Sequence, residues 1–116
     1  MKILITIQNN SVAPRFDLTT EVLIALCEGQ QVLGKPRTIL MTRPSAEDLC
    51  ALIIRENVNT VICNGIEENH LQYLSWKKMR VIYSVVGPYT EALKAVTGDF
   101  LRSGTILPGA KRGGGK

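Results

Sequence analysis

The segment Ser11-Val12-Ala13-Pro14-Arg15-Phe16-Asp17 sets a guanidinium, an aromatic ring and a carboxylate on a proline-stiffened stretch between two apolar runs. Connections inside a compact domain are usually short, and longer ones tend to be functional. The stretch from Asn9 to Leu18 is therefore read as one wall of a ligand pocket at the end of the first strand. Arg15 keeps its charge at any ordinary pH and offers several N–H donors, which suits an anionic ligand; the alternative is an exposed loop arginine paired with Asp17. Phe16 either covers an apolar ligand face or plugs the core. Asp17 is read as a cap or turn acceptor.

Sulfur chemistry rests on Cys27, Cys50 and Cys63. Three cysteines with wide spacing and no C-x-x-C pair fit neither a disulfide framework nor a structural zinc site. Cys63 is the candidate metal ligand, because it ends an apolar run beside Asn64-Gly65, where a soft sulfur reaches copper, iron or molybdenum. Its alternative is a small core residue. Cys27, in an interior strand, and Cys50, on the inward face of a helix, are expected to be structural. His70, the one histidine, lies in a polar helix and is expected at the surface.

The elements that position these groups follow from periodicity. Lys2 to Ile7 and Glu21 to Cys27 are short apolar runs of interior-strand character. Gln30-Gln31, with Gly29 before and Gly34 after, reads as a turn and a third strand that continues through Arg37 to Met41, and Pro36 assigns it to an edge or a bulge. These three form an antiparallel meander. After Pro44, Ser45 is an N-cap with Glu47 and Asp48 in the first turn, and Ala46, Leu49, Cys50, Ile53 and Ile54 share one helical face that ends near Asn57. Thr60 to Cys63 is a buried strand, Glu67 to Lys78 a second helix, Arg80 to Tyr83 a fifth strand, and Thr90 to Val96 a third helix with Gly98 as its stop.

This order predicts an α/β fold with a mixed five-stranded sheet, three strands in the meander and two parallel, and three helices. With the first strand beside the fourth, the carboxyl ends of strands one, four and five open on one edge. That edge gathers Ser11 to Asp17, the Cys63-Asn64-Gly65 turn and the Val86-Gly87-Pro88 turn, and open α/β sheets form ligand clefts there. Glycine turns permit close backbone approach, and their N–H groups make anion-binding concavities. Arg15, Phe16, Asp17, Cys63, Asn64, Gly65, Val86 and Gly87 are the candidate binding residues.

Composition bounds the rest. With 116 residues, 45% of them hydrophobic and 21% charged, the chain fits one soluble domain with a core that needs no disulfide or metal. No apolar run approaches the roughly 20 residues that span a membrane. The start, Met1-Lys2-Ile3-Leu4-Ile5, reads as a strand and not a signal peptide, so a cytoplasmic location is expected. Most of the formal charge of +4 sits on Lys111, Arg112 and Lys116. Residues 1–108 are expected to form the domain and 109–116 a basic, glycine-rich, disordered tail. Gly113-Gly114-Gly115 follows no strand and precedes no helix, so it is not a phosphate loop. Lys77, Lys78 and Arg80 stand where a helix end favours cations without nucleic acid, and Trp76 alone makes no stacking platform.

Several segments together carry a likeness: Lys2-Ile3, Pro14-Arg15-Phe16-Asp17, Val61-Ile62-Cys63-Asn64-Gly65-Ile66, Val81-Ile82 leading to Val86-Gly87, and Glu91-Ala92-Leu93 followed by Gly98. In this order, from Met1 to about Gly109, the chain resembles the dinitrogenase iron-molybdenum cofactor biosynthesis family. Those are small ribonuclease-H-like domains that carry metal-sulfur clusters or their precursors. The likeness is nearest to the orange-protein type of anaerobic sulfate reducers, which binds a molybdenum-copper-sulfide cluster, and it extends to the ending Leu107-Pro108-Gly109-Ala110-Lys111-Arg112. Arg15 stands where several relatives place histidine, and Ala110 where some place cysteine.

The resemblance implies a non-catalytic carrier of an anionic metal-sulfur cluster (Mo/Fe or Mo/Cu sulfide), with cluster donor and acceptor proteins as partners. A protein-interaction module of the same fold without cluster binding is the alternative. A metal-dependent hydrolase is disfavoured, because two-metal phosphodiester chemistry needs clustered carboxylates and the first strand has none. Neither membrane nor nucleic acid is an expected partner.

Overall fold

Ile3, Ile5 and Ile7 alternate with Leu4 and Thr6 along the opening strand, and all five side chains are buried. Successive strand residues point to opposite faces, so this strand requires cover on both sides. The computed structural model describes residues 1–110; the stretch at 111–116, for which a disordered tail is expected, lies outside them. β1 (Lys2–Gln8) sits at the centre of a mixed sheet, with β3 (Glu21–Glu28) and then β4 (Gln31–Leu40) antiparallel on one side. On its other side β5 (Thr60–Ile62) and β6 (Arg80–Ile82) run parallel to it in turn. The expected meander, the expected parallel pair and the placement of the first strand beside the fourth are all present.

The sheet has six strands where five are expected. The extra one, β2 (Ser11–Val12), folds back on β1 with Ile7 opposite Val12 and Gln8 opposite Ser11. Asn9 takes a left-handed conformation in the turn, φ 58°, which asparagine tolerates better than most residues. The segment from Asn9 to Leu18 is therefore not an open loop. It is a tight hairpin followed by a single 3-10 turn at Phe16–Leu18.

Three helices close the faces. α1 (Ala46–Arg55) and α2 (Glu68–Trp76) lie over the Leu4 face, where Leu49, Ile53 and Leu74 pack with Val22, Ile24 and Val61. α3 (Tyr89–Thr97) covers the Ile3-Ile5-Ile7 face with Ala92 and Val96, and Leu101 and Leu107 complete that layer. Fully burying each such aliphatic side chain contributes about 1.5–3 kcal/mol. Ser45 caps α1 as expected, its Oγ accepting from Asp48 N–H at 3.1 Å. Among the described residues no helix is long and apolar enough to cross a membrane.

The helix ends share one device. The N–H of Val58 donates to Ile53 O and that of Asn57 to Ile54 O; Met79 and Lys78 do the same to Leu74 and Ser75, and Phe100 and Asp99 to Ala95 and Val96. These are Schellman pairs, with Asn57, Lys78 and Asp99 at φ of 58°, 70° and 62° in the position that glycine prefers. Gly98, the expected stop of α3, is its C-cap at φ −84°, and the left-handed residue follows it at Asp99. Asp99→Gly is therefore expected to raise stability by up to about 1 kcal/mol by relieving left-handed strain, read as a higher midpoint in urea at unchanged slope.

β4 forms one edge of the sheet, as Pro36 foretells. Ile24 pairs with Arg37 and Leu26 with Leu33, so Gly34, Lys35 and Pro36 bulge against Ala25 alone. Proline, charge and a bulge on one edge oppose further strand pairing. The edge is tied to α1 by Glu56, whose carboxylate accepts from Arg37 Nη2 at 2.6 Å and Lys2 Nζ at 3.3 Å. The Arg37 hydrogen bond first and then that of Lys2 hold the Glu56 carboxyl below its ordinary value. A depressed carboxylate stabilises the fold above its unfolded pKa and loses that contribution as pH falls through the folded one.

Candidate functional site

Three chain segments meet at the carboxyl ends of β1, β5 and β6, and the backbone joins them. Phe16 N–H donates to Gly65 O at 2.7 Å and Gly65 N–H to Pro14 O at 3.0 Å, which pairs the Arg15 segment in parallel with the turn after β5. Val12 N–H donates to Gly87 O at 2.9 Å, and Tyr89 N–H to Asn10 O at 3.1 Å. Ser84 N–H reaches Asn64 O at 2.9 Å and Val85 N–H reaches Cys63 O at 3.1 Å. Arg15, Asn64, Gly65, Val86 and Gly87 thus belong to one rim.

Two glycines make this closeness possible. A Cβ on Gly65 would lie 2.9 Å from Pro14 O, inside any tolerable contact. At Gly87, φ is 132° and a Cβ would sit 2.8 Å from Leu107 Cβ. The last described residues fold onto the same place: Leu107 N–H donates to Val86 O at 2.8 Å, and Ala110 N–H to Leu107 O at 3.1 Å.

The side chains at the rim divide sharply. Arg15 is largely exposed, and its Nε and Nη2 donate to the two Asp17 oxygens at 3.0 and 2.6 Å. That fork-to-fork pair holds the guanidinium in a fixed pose, and its exposure keeps the pair's contribution to stability small. Phe16 is buried, only 1% exposed, within the α1–α2 layer. Cys63 is fully buried in the same layer, and burial pushes its thiol up to about 12. Its Sγ is therefore protonated at neutral pH and faces the core beneath the rim. The N–H groups of Gly65 and Val86 are engaged by Pro14 O and Thr105 O.

The open space lies beside this set. A cleft of about 410 Å³ at the rim is lined by Gln8, Asn9, Asn10, Ser11, Pro14 and Pro88, among others. Its side-chain hydrogen-bonding groups are three carboxamides and a hydroxyl, and each of them can donate. Asn9, Asn10 and Ser11 fall within the stretch from Asn9 to Leu18 read as a pocket wall, though none is among the candidate binding residues, and Gln8 lies just before it. Their signal is the abrupt change from the apolar β1 to the polar run Gln8-Asn9-Asn10-Ser11.

A second cavity, about 380 Å³, opens between α1 and α2 with Glu47, Cys50, His70 and Tyr73 on its walls. The Cys50 thiol is pushed up to about 11 by burial and, secondarily, by Glu47. His70 is not the surface residue expected. Its side chain is 13% exposed, its ring centroid lies 6.0 Å from that of Phe16, and Nε2 is 3.6 Å from Glu67 Oε1. Residues four apart share a helix face, and His70 precedes the fully buried Leu74 by that interval; the general polarity of the helix masks this. Among the described residues no three His, Cys, Asp or Glu side chains converge as a metal site.

No protein-family profile matches the chain, and no curated protein matches it. Solved structures do. The protein known by the label PH0822 aligns over 89% of this chain and 94% of its own, at 20% identity and a TM-score of 0.80. A Methanocaldococcus jannaschii protein provisionally described as a dinitrogenase aligns over 93% and 97%, at 21% identity and a TM-score of 0.73. A Thermotoga protein provisionally described as NifB, of the DUF35 family, aligns over 97% and 98%, at 17% identity and a TM-score of 0.68. At these identities the likeness is one of fold, and the chain shares with these proteins the α/β architecture built on a central β1.

Proposed function

We propose that the chain is a non-catalytic carrier whose cargo is an anionic metal-sulfur cluster of molybdenum-iron or molybdenum-copper type, bound at the rim. The observation that carries this reading is the backbone-bonded convergence of the Asn9–Asp17, Cys63–Gly65 and Val86–Pro88 segments at one rim, at the carboxyl ends of parallel strands, with a cleft beside it lined by Asn9, Asn10, Ser11, Pro14 and Pro88. That is where open α/β sheets place ligands. The provisional names of two proteins that share the fold, a dinitrogenase and a NifB protein, support a nitrogenase-related role.

The donor set favours a hold through hydrogen bonds to sulfide rather than through metal bonds. Gln8, Asn9, Asn10 and Ser11 offer neutral donors in the cleft, and Arg15, one residue beyond Pro14 of its lining, brings a positive charge to the same segment. The Cys63 thiol, with its pKa near 12, does not present a thiolate, and thiolate is the ligating form. A cargo held without covalent ligands leaves readily when an acceptor offers them. A second reading, an interaction module without cargo, draws on the Arg15–Asp17 pair, which neutralises the one cation of the rim motif. The acids Asp48, Glu67 and Glu68 stand at helix starts, so a hydrolase reading has little to draw on.

Anaerobic incubation with tetrathiomolybdate and copper(I), followed by desalting, tests the assignment. The expected result is a visible charge-transfer band that stays with the protein, persists in Cys63→Ser, and is lost when Asn9, Asn10 and Arg15 are replaced together by alanine. No retained band, or loss of the band in Cys63→Ser alone, overturns it.

A further inference from the structure

α2 begins beside Ile66 at the rim and runs nine residues away from it, about 13 Å at 1.5 Å per residue. Its far end meets the amino ends of β5 and β6, where Arg80 pairs with Thr60. At that pole Trp76 is 72% exposed and Tyr73, one turn earlier, is 39% exposed. Lys77 Nζ lies 5.0 Å from the Trp76 ring centroid and 5.8 Å from that of Tyr73. The tryptophan is therefore not solitary: a second ring and a shared cation make it part of an ordered aromatic surface.

A groove of about 300 Å³ adjoins it, with Ile54, Val58 and Met79 supplying apolar walls and Lys77 and Lys78 at its border. Arg80 is fixed next to it, its N–H donating to Asn59 O at 2.9 Å. Lys77, Lys78 and Arg80 are exposed, and among the described residues none is within 4.0 Å of a carboxylate. Exposed tryptophan, tyrosine and arginine are the residue types enriched at the hot spots of binding interfaces, and all three stand at this pole. Lys77 and Lys78 join them to the adjoining groove, whose size suits one large apolar side chain.

We propose that this pole is a docking site for an acidic protein segment, one apolar side chain of which enters the Ile54–Val58–Met79 groove while flanking carboxylates pair with Lys77, Lys78 and Arg80. The three unpaired cations select an anionic partner, and the groove walled by Ile54, Val58 and Met79 fits an apolar side chain, which a polypeptide carries and a polynucleotide does not. Lys77 already covers one face of each ring. Because the site lies at the opposite end of the strands from the rim, a docked partner leaves the rim open. The proposal stands whether or not the rim carries a cluster.

Fluorescence anisotropy with the full chain tests it, using a fluorescein-labelled glutamate-rich peptide with one central phenylalanine. Saturable binding is expected at low salt. It should weaken at least about tenfold, or roughly 1.4 kcal/mol, in Trp76→Ala and in the Lys77→Glu, Lys78→Glu double variant, each with an unchanged melting profile. The peptide with glutamine in place of glutamate should not bind. Absence of binding, or binding indifferent to both variants, overturns the site. Tighter binding of an oligothymidylate of about fifteen nucleotides through the same residues overturns the polypeptide assignment in favour of nucleic acid.

Discussion

Gly87→Ala is expected to destabilise the protein by about 2–6 kcal/mol, from ~1–3 kcal/mol of backbone strain and ~1–3 kcal/mol of overpacking. Both causes act at one atom. At φ 132° the added Cβ is strained whatever the space, and it meets Leu107 Cβ at 2.8 Å and Ala110 Cβ at 3.3 Å. Leu107 is buried in the α3 layer and cannot simply swing aside. The Val86–Leu107 hydrogen bond and the Val12–Gly87 contact should loosen together, so the amides of Val12 and Leu107 should exchange faster with solvent deuterium. Gly34→Ala is the control. It shares a left-handed backbone, φ 67°, but its Cβ meets nothing within 4 Å, so only the strain component should appear in urea titrations. Equal losses at the two sites would show that packing at Gly87 contributes nothing.

Phe16→Ala should cost about 3–5 kcal/mol, the usual range for deleting a buried aromatic ring. Against a typical total of about 5–15 kcal/mol, that is a large part of the fold's stability. The ring seals the rim end of the α1–α2 layer between the segment bonded to Gly65 and the ring of His70. Its removal should uncover His70 and, beneath it, Cys63. The checks are a lower urea midpoint and faster alkylation of Cys63 at pH 8 in the variant, with the parent thiol protected by its burial. Unchanged alkylation together with unchanged stability would place Phe16 outside the core.

These effects bear on how much of the molecule its residues announce. The layered order of strands and helices was legible because long apolar patterns are strong signals: Ile3 to Ile7 and Val22 to Ala25 are buried on both faces, and Ser45 with Glu47 and Asp48 marks the start of α1 in both charge and hydrogen bonding. Pro36 announced an edge, and the chain bulges there. The hairpin at Asn9-Asn10 was not legible, since Asn-Asn lacks the glycine that signals a tight two-residue turn. Gly98 announced the stop of α3 and is its C-cap, while the left-handed position one residue further on fell to Asp99.

The site was legible as a place more than as a set of side chains. Arg15, Gly65 and Gly87 do share a rim, since strand order alone dictates which loops meet. Which way Cys63 points was a matter of pleat parity that a strand end leaves open, and it points inward. His70 was misplaced for a comparable reason: polar neighbours on α2 conceal an interval of four to Leu74. Tyr73, Trp76 and Lys77 look like separate residues in sequence, and only helical geometry stacks them.

β1 is made first yet lies at the centre of the finished sheet, and this has a consequence during synthesis. A nascent chain of forty-odd residues can form the β1–β3–β4 meander, but one side of it waits for α1 and α2, and the other for α3 and Leu107. Both oily sides then face water until α1, α2, α3 and Leu107 have followed it out of the ribosome. Such intermediates are prone to aggregate, so shielding by a chaperone matters most in the interval before Leu107 emerges.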